Sequence, residues 1–399
     1  MTVRTTAPVS AVRLKTADGA FVAGVLRIPS GGAATVVSIM HPREDVTHHP
    51  LVDAMLESGV AVWTQGTRSV NNDVRLLHEQ ALLDVAAGQA FLEEQHFDAR
   101  VTLGHSGGAT LFAFYQQQAA LSPEHRLTSA PDGTATDLAS ARMPVPHGAV
   151  FMAPHPGQGV LLQRVIDPSV IDESDPFSTD PDLDPYNSAN GFRPAPEPSR
   201  YSPEFVERYR AAQVARVRRL DAVAADVVAA AQRARQEASA TKDVGQRRRS
   251  LVPSVMVVHR TDADLRSVDL SLDPNRRPYG SLFGRRPDLG NFGFPGFCRI
   301  TTPSAWLSTW SATTSRANFV ANAPGVSSPT LLVELTGDQA CFPSDAARMY
   351  GALGASDKVH VQVAGTHFGG PIAPGEPTGT ELAAAQITRW LRDRFDMAG

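Results

Sequence analysis

Two cysteines in 399 residues, Cys298 and Cys341, are too few for a disulfide framework. No apolar stretch approaches the ~20 residues that a membrane-spanning helix needs. The N-terminal Met1-Thr2-Val3-Arg4-Thr5-Thr6-Ala7 carries no long apolar core, so no secretory signal is expected. Neither sign of charge dominates: 41 acidic against 37 basic residues leave a net −4, with no electrostatic reason to expect nucleic acid or an anionic membrane as partner. No internal repeat is present. With 42% hydrophobic and 20% charged residues, the expectation is an ordinary globular protein in a reducing, cytoplasmic setting.

Metal-binding patterns are also scarce. His41, His48 and His49 lack the carboxylate spacing of a zinc protease, and adjacent histidines point in different directions. The run Asp180-Pro181-Asp182-Leu183-Asp184 begins like a calcium loop. Pro185 then stands where glycine is needed, and Gly191 where the bidentate glutamate belongs. Neither a metal nor a cofactor is expected.

What the chain does have is strand–helix alternation at both ends. Val12–Thr16 and Phe21–Ile28 flank the turn signal Ala17-Asp18-Gly19, and Thr35–Met40 reads as a buried strand. Val60–Gln65, the strand up to Leu103 and Gly148–Ala153 follow, separated by helical patterns at 49–58, 73–95 and 107–120. Alternation resumes with a strand at 330–335, a helix at 344–353, a strand at 358–363 and a helix at 378–395. Such alternation argues for a parallel sheet with helices on both faces. Between about 154 and 324 it fails. That stretch holds a Pro/Asp/Ser-rich excursion, a long helical pattern over 205–240 and the aromatic segment from Gly290 to Cys298. An insertion of roughly 170 residues is far longer than a loop, so a lid or second lobe is expected. Residues 1–153 and 325–399 are thus the expected core and 154–324 the inserted lid or cap, whose long helix offers a contact for a homo-oligomer.

The chemistry centres on Gly104-His105-Ser106-Gly107-Gly108, between a strand and a helix. In G-x-S-x-G the small residues permit a turn sharp enough to stand the hydroxyl above the sheet. A serine hydroxyl is a poor nucleophile until an oriented base takes its proton. Asp338, after the strand at 330–335, and His367, after the strand at 358–363, complete the chain order Ser, Asp, His, each beyond a predicted strand. Asp345 is the rival acid, but it sits where the next helix should already have begun.

On Gly104–Gly108, Thr336-Gly337-Asp338-Gln339 and Gly365-Thr366-His367-Phe368, the sequence resembles the α/β-hydrolase superfamily, over residues 10–153 and 325–399. The resemblance implies an eight-stranded, mostly parallel sheet with the insertion after the sixth strand. It assigns Ser106 as nucleophile, His367 as base and Asp338 as orienting acid. It further implies an oxyanion hole built from the Gly107 N–H and a second donor in the loop after the third strand. This chain has His41-Pro42 there instead of the usual His-Gly. Proline has no N–H, so Arg43 is the expected donor and Glu44 the reserve.

The expected activity is hydrolysis of a carboxylic ester or lactone through an acyl-enzyme. Amide, thioester or carbon–carbon cleavage on the same triad is the alternative. A ligand-binding protein of hydrolase fold is the non-catalytic one. His41, His105, Trp306 and Trp310 are the expected pocket residues, with Phe292, Phe294 and Phe297 as further wall for a bulky or aromatic group. A second small core is an equally good account of these aromatics.

Overall fold

The computed structural model describes residues 8–397. Eight strands form one sheet: β1 (Val9–Lys15), β2 (Phe21–Arg27), β3 (Thr35–Met40), β4 (Ala61–Gln65), β5 (Ala99–His105), β6 (Gly148–Met152), β7 (Thr330–Leu335) and β8 (Lys358–Val363). Their spatial order is β1-β2-β4-β3-β5-β6-β7-β8. β2 runs antiparallel to both neighbours, and every other pairing from β4 onward is parallel. This is the mostly parallel sheet of the α/β-hydrolase fold.

Strands β3, β4, β6 and β7 are buried along their whole length, as a sheet covered on both faces requires. Helices α2 (His78–Glu94) and α3 (Gly107–Ala119) cover one face through Leu82, Val85, Phe112 and Phe114. The short α1 (Val52–Glu57) and the C-terminal Gly379–Arg392 helix cover the other through Met55, Ile387 and Trp390. The chain order reverses between β3 and β5. Loops leaving the carboxyl ends of those strands therefore diverge and open a crevice, where ligands of α/β proteins bind.

The expected single helix over 73–95 is instead a 3₁₀ turn, Asp73–Arg75, followed by extended Leu76 and Leu77 and then α2. The break has a tertiary cause. The Leu76 carbonyl accepts from Thr309 Oγ1 and the His78 N–H donates to Ser308 Oγ, so the insertion holds this backbone open.

Residues 153–329 add no strand to the large sheet. They carry α4 (Gln158–Val165) and the 39-residue α5 (Pro203–Thr241), roughly 58 Å long at 1.5 Å per residue. Ser202 caps α5 by accepting the Phe205 N–H, and Pro203 fits the first turn, whose N–H groups need no intrahelical partner. One stripe of α5, including Val217, Leu220 and Ala224, packs on Leu162, Val258, Trp306 and Trp310. The insertion thus has its own apolar core. Its last part, Ala317, Phe319, Ala323 and Val326, returns to the helix-covered face of the sheet beside Phe151. Among the described residues no helix is long and apolar enough to cross a membrane.

Candidate active site

β5 ends at His105, and Ser106 takes φ 55° and ψ −121°, a left-handed conformation costly for a side-chain-bearing residue. Its neighbours explain how the turn closes. A Cβ on Gly104 would lie 2.5 Å from the Ala109 nitrogen, and one on Gly108 would run into the Met40 carbonyl oxygen. Glycine at both positions lets α3 start against β3 and β5. The Ser106 N–H donates to the Met152 carbonyl, 3.0 Å away, which pins the turn to β6.

Ser106, His367 and Asp338, on three separate connections, form one hydrogen-bonded line. Ser106 Oγ lies 2.9 Å from His367 Nε2, and His367 Nδ1 lies 2.9 Å from each carboxylate oxygen of Asp338. A carboxylate only accepts, so Nδ1–H donates to it, and Nε2 is left to accept from the serine hydroxyl. Asp338 Oδ1 also accepts the Ala340 and Cys341 N–H groups, which fixes the carboxylate before any ligand arrives. Burial alone would depress the His367 pKa. The Asp338 charge and hydrogen bond more than offset it, so the imidazole titrates above its usual 6.5.

The rival acid is engaged elsewhere. Asp345 stands in the first turn of α6 (Pro343–Ala352), where a bidentate pair with Arg164 at 2.5 and 2.8 Å and a contact to Arg348 hold it. It ties the insertion to the core.

The expected donor role of Arg43 is corrected by its backbone. The Arg43 N–H donates to His41 Nδ1 at 3.2 Å, and the reserve, the Glu44 N–H, donates to the same atom at 2.9 Å. With Pro42 donorless, neither of the two expected N–H donors is directed at Ser106. The Arg43 guanidinium is likewise committed, to Asp73 at 2.6 and 2.5 Å. Gly107 keeps its N–H, since the first residues of a helix have no intrahelical acceptor.

A cavity of about 170 Å³ opens beside Ser106, lined by His41, His155, Gln158, Phe283, Phe297 and Phe368 among others. Of the four residues expected there, only His41 lines it. His105 lies beneath the site: its Nε2–H donates to the His367 carbonyl at 2.9 Å, and its Nδ1 accepts from His49 Nε2 at 3.3 Å. Trp306 and Trp310 are fully buried in the insertion's core. Trp306 Nε1 donates to Asp221, and both residues sit in a π-helical turn, Trp306–Trp310, rather than an α-helical one. Trp310 reaches the site indirectly, through Arg43, whose guanidinium lies 5.0 Å from its ring centre, and through the cavity residue Phe297, 6.4 Å between ring centres. Phe292 and Phe294 belong to a separate surface hollow. Among the described residues no three His, Cys, Asp or Glu side chains are grouped as metal ligands.

His155 and Gln158 escaped the sequence reading. The usable signal was positional, because Ala153-Pro154-His155-Pro156-Gly157-Gln158 leaves the carboxyl end of β6, next to the strand that carries Ser106. Burial pushes the His155 pKa down to about 3, with His367 and Arg43 contributing, and holds His41 well below its usual value. Both are neutral near pH 7.

No protein-family model and no curated protein sequence matches this chain. Among solved structures it is similar to the esterase domain of a Rhodothermus marinus protein, at 12% identity and a TM-score of 0.43, over 97% of this chain and 99% of that one. It is also similar to the α/β hydrolase GrgF from Penicillium sp. sh18, at 13% identity and a TM-score of 0.48, over 96% of this chain and 98% of that one. Est1E from Butyrivibrio proteoclasticus aligns at 11% identity and a TM-score of 0.44, over 96% and 98% of the two chains. The fold assignment rests on the strand order and crossovers described above.

Proposed function

We propose that this protein is a serine hydrolase that cleaves carboxylic esters with a small acyl group. The observation that carries the reading is the unbroken line Ser106–His367–Asp338 at the mouth of a cavity. Ser106 Oγ attacks the ester carbonyl while His367 Nε2 takes the hydroxyl proton. The tetrahedral intermediate collapses, and the imidazolium returns that proton to the departing alkoxide. Water then attacks the acyl-serine with the same histidine as base, releasing the acid and restoring Ser106. Asp338 stabilises the imidazolium without itself being protonated.

The size of the cavity favours a short acyl chain. Pockets for drug-sized ligands run from about 300 Å³ upward, against about 170 Å³ here. Phe283, Phe297 and Phe368 supply the apolar wall once expected of the tryptophans. Amides need the same line of residues but a better leaving-group acid, and the raised His367 pKa is compatible with either bond type. The test is labelling by a fluorophosphonate probe together with turnover of p-nitrophenyl acetate and p-nitrophenyl octanoate. Labelling confined to the Ser106 peptide, acetate turned over faster than octanoate, and loss of both signals in Ser106→Ala are expected. Undiminished turnover in Ser106→Ala would refute the proposal.

A further inference from the structure

Given the hydrolase reading, we infer that the oxyanion site takes its second half from side chains, the Nε2–H groups of His155, Gln158 and His41, in place of a backbone N–H from the β3 loop.

The two expected backbone donors are engaged elsewhere. Pro42 has no N–H, and the Arg43 and Glu44 N–H groups both end on His41 Nδ1. That double acceptance has a consequence for His41 itself. A neutral imidazole whose Nδ1 accepts must carry its hydrogen on Nε2. His155 is fixed in the same way, because its Nδ1 accepts the Gly157 N–H at 3.1 Å. Two histidines are therefore locked as Nε2–H donors by local backbone.

The donors converge on one place. A Cβ on Gly107 would lie 2.5 Å from Gln158 Nε2, 2.8 Å from His41 Nε2 and 3.0 Å from His155 Nε2. The absence of a side chain at 107 leaves this space open, beside the free Gly107 N–H and next to the Ser106 hydroxyl. An oxygen developing negative charge on a carbonyl attacked by Ser106 enters a ring of N–H groups.

Gln158 supplies an independent sign of a missing ligand. It is 2% exposed, yet among the described residues neither amide atom has a hydrogen-bond partner. A buried unpaired carboxamide is destabilising unless something else uses it. The nearby acceptor is His78 Nε2, close enough for the Gln158 amide to raise the His78 pKa though outside hydrogen-bonding geometry, and one N–H spent on it leaves the second for the site.

The chemistry suits an oxyanion rather than a bound anion. All three donors are neutral, so they hold no permanent counter-ion, and the one arginine among the residues named at the cavity, Arg43, has its guanidinium paired with Asp73. Their dipoles gain most when charge appears on the substrate oxygen, in the transition state.

The test compares wild type with Gln158→Leu, Gln158→Glu and His155→Asn on p-nitrophenyl acetate, with the affinity of a small alkylboronic acid as transition-state probe. Leucine removes the donor at similar volume, and asparagine can still accept the Gly157 N–H while lacking Nε2. Gln158→Leu and His155→Asn should each lower kcat about 10²–10³-fold, the cost of one oxyanion donor, with KM within about threefold of wild type and boronate affinity falling in step. Gln158→Leu should melt at or above the wild-type temperature, because it deletes two unpaired polar atoms. Gln158→Glu should be slower still, since it sets a carboxylate against the oxyanion. If wild type is active and both donor-deleting variants keep kcat within threefold, the side-chain donors are refuted and the hydrolase reading survives. Loss of kcat with unchanged boronate affinity would also refute them. A wild type with neither turnover nor Ser106 labelling brings down the hydrolase reading, and the donor assignment with it.

Discussion

Replacing each of two aspartates by asparagine should separate catalysis from stability. Asp338 holds the His367 Nδ1–H at 2.9 Å, and asparagine there keeps the volume but can present an N–H where only an acceptor fits. The same change in a serine protease costs about 10⁴ in kcat, on the order of 5 kcal/mol of transition-state stabilisation. Its melting temperature should change little, because the side-chain oxygen can still accept the Ala340 and Cys341 N–H groups. Asp345 is different. Its fully buried carboxylate is paired with Arg164 and Arg348, and Arg266 NH1 lies 3.7 Å away. Arg348 is more than half exposed and adds little. Arg164 is mostly buried and loses its bidentate partner, which leaves poorly compensated charge at about 3–5 kcal/mol, whereas Arg266 keeps Asp264 at 2.6 Å. A solvent-exposed aspartate in a first helical turn would contribute only about 0.3–1 kcal/mol through the helix dipole; the buried pair with Arg164 makes Asp345 worth more. Asp345→Asn should therefore lower the melting temperature by about 4–6 °C while its kcat stays within about tenfold at 15 °C. Calorimetry and p-nitrophenyl acetate kinetics on the two variants suffice. An Asp338→Asn protein that turns over normally, or an Asp345→Asn protein inactive at an unchanged melting temperature, would refute this division of roles.

Three further expectations follow from the geometry. The base is neutral His367, whose pKa lies above 6.5, so kcat/KM for esters should rise with pH through that raised value and fall away below it. In Asp338→Asn burial outweighs the remaining pull of the Glu44 charge, and the residual activity should show its acid limb below pH 6.5, measured as a pH–rate profile. Stability has the opposite slope: the His367–Asp338 ion pair contributes fully below the unfolded histidine pKa and is lost as pH rises through the folded one. Trp306→Ala empties a fully buried site in the insertion's core, so about 3–5 kcal/mol of stability should go, with equal fractional losses of activity on acetate and bulky esters; a selective loss on bulky esters would return Trp306 to the pocket wall. Gly104→Ala puts a Cβ 2.5 Å from the Ala109 nitrogen, and calorimetry should read a loss of about 1–3 kcal/mol from overpacking.

Much of this protein was legible as a string. Strand and helix identities at both ends follow from residue periodicity, a local property, and so does the sharp turn at Gly104–Gly108. The order Ser106, Asp338, His367 carries chemical meaning because each follows a strand, and the parallel connections then return all three to one edge of the sheet. Residue type and position along the chain sufficed there. They did not suffice where a role depends on which of several possible partners a group finds. The Arg43 N–H could have faced Ser106, and only the folded loop turns it onto His41 Nδ1. Asp345 is a plausible acid until Arg164, 181 positions away, closes on it. Trp306 and Trp310 satisfy the requirements of a pocket wall and of a core equally, and the decision came from α5 packing over them. Periodicity reports burial without naming the neighbour. Hydrogen-bond partnership, tautomer and pocket shape are properties of pairs of residues far apart in sequence, and they exist only once the chain has folded.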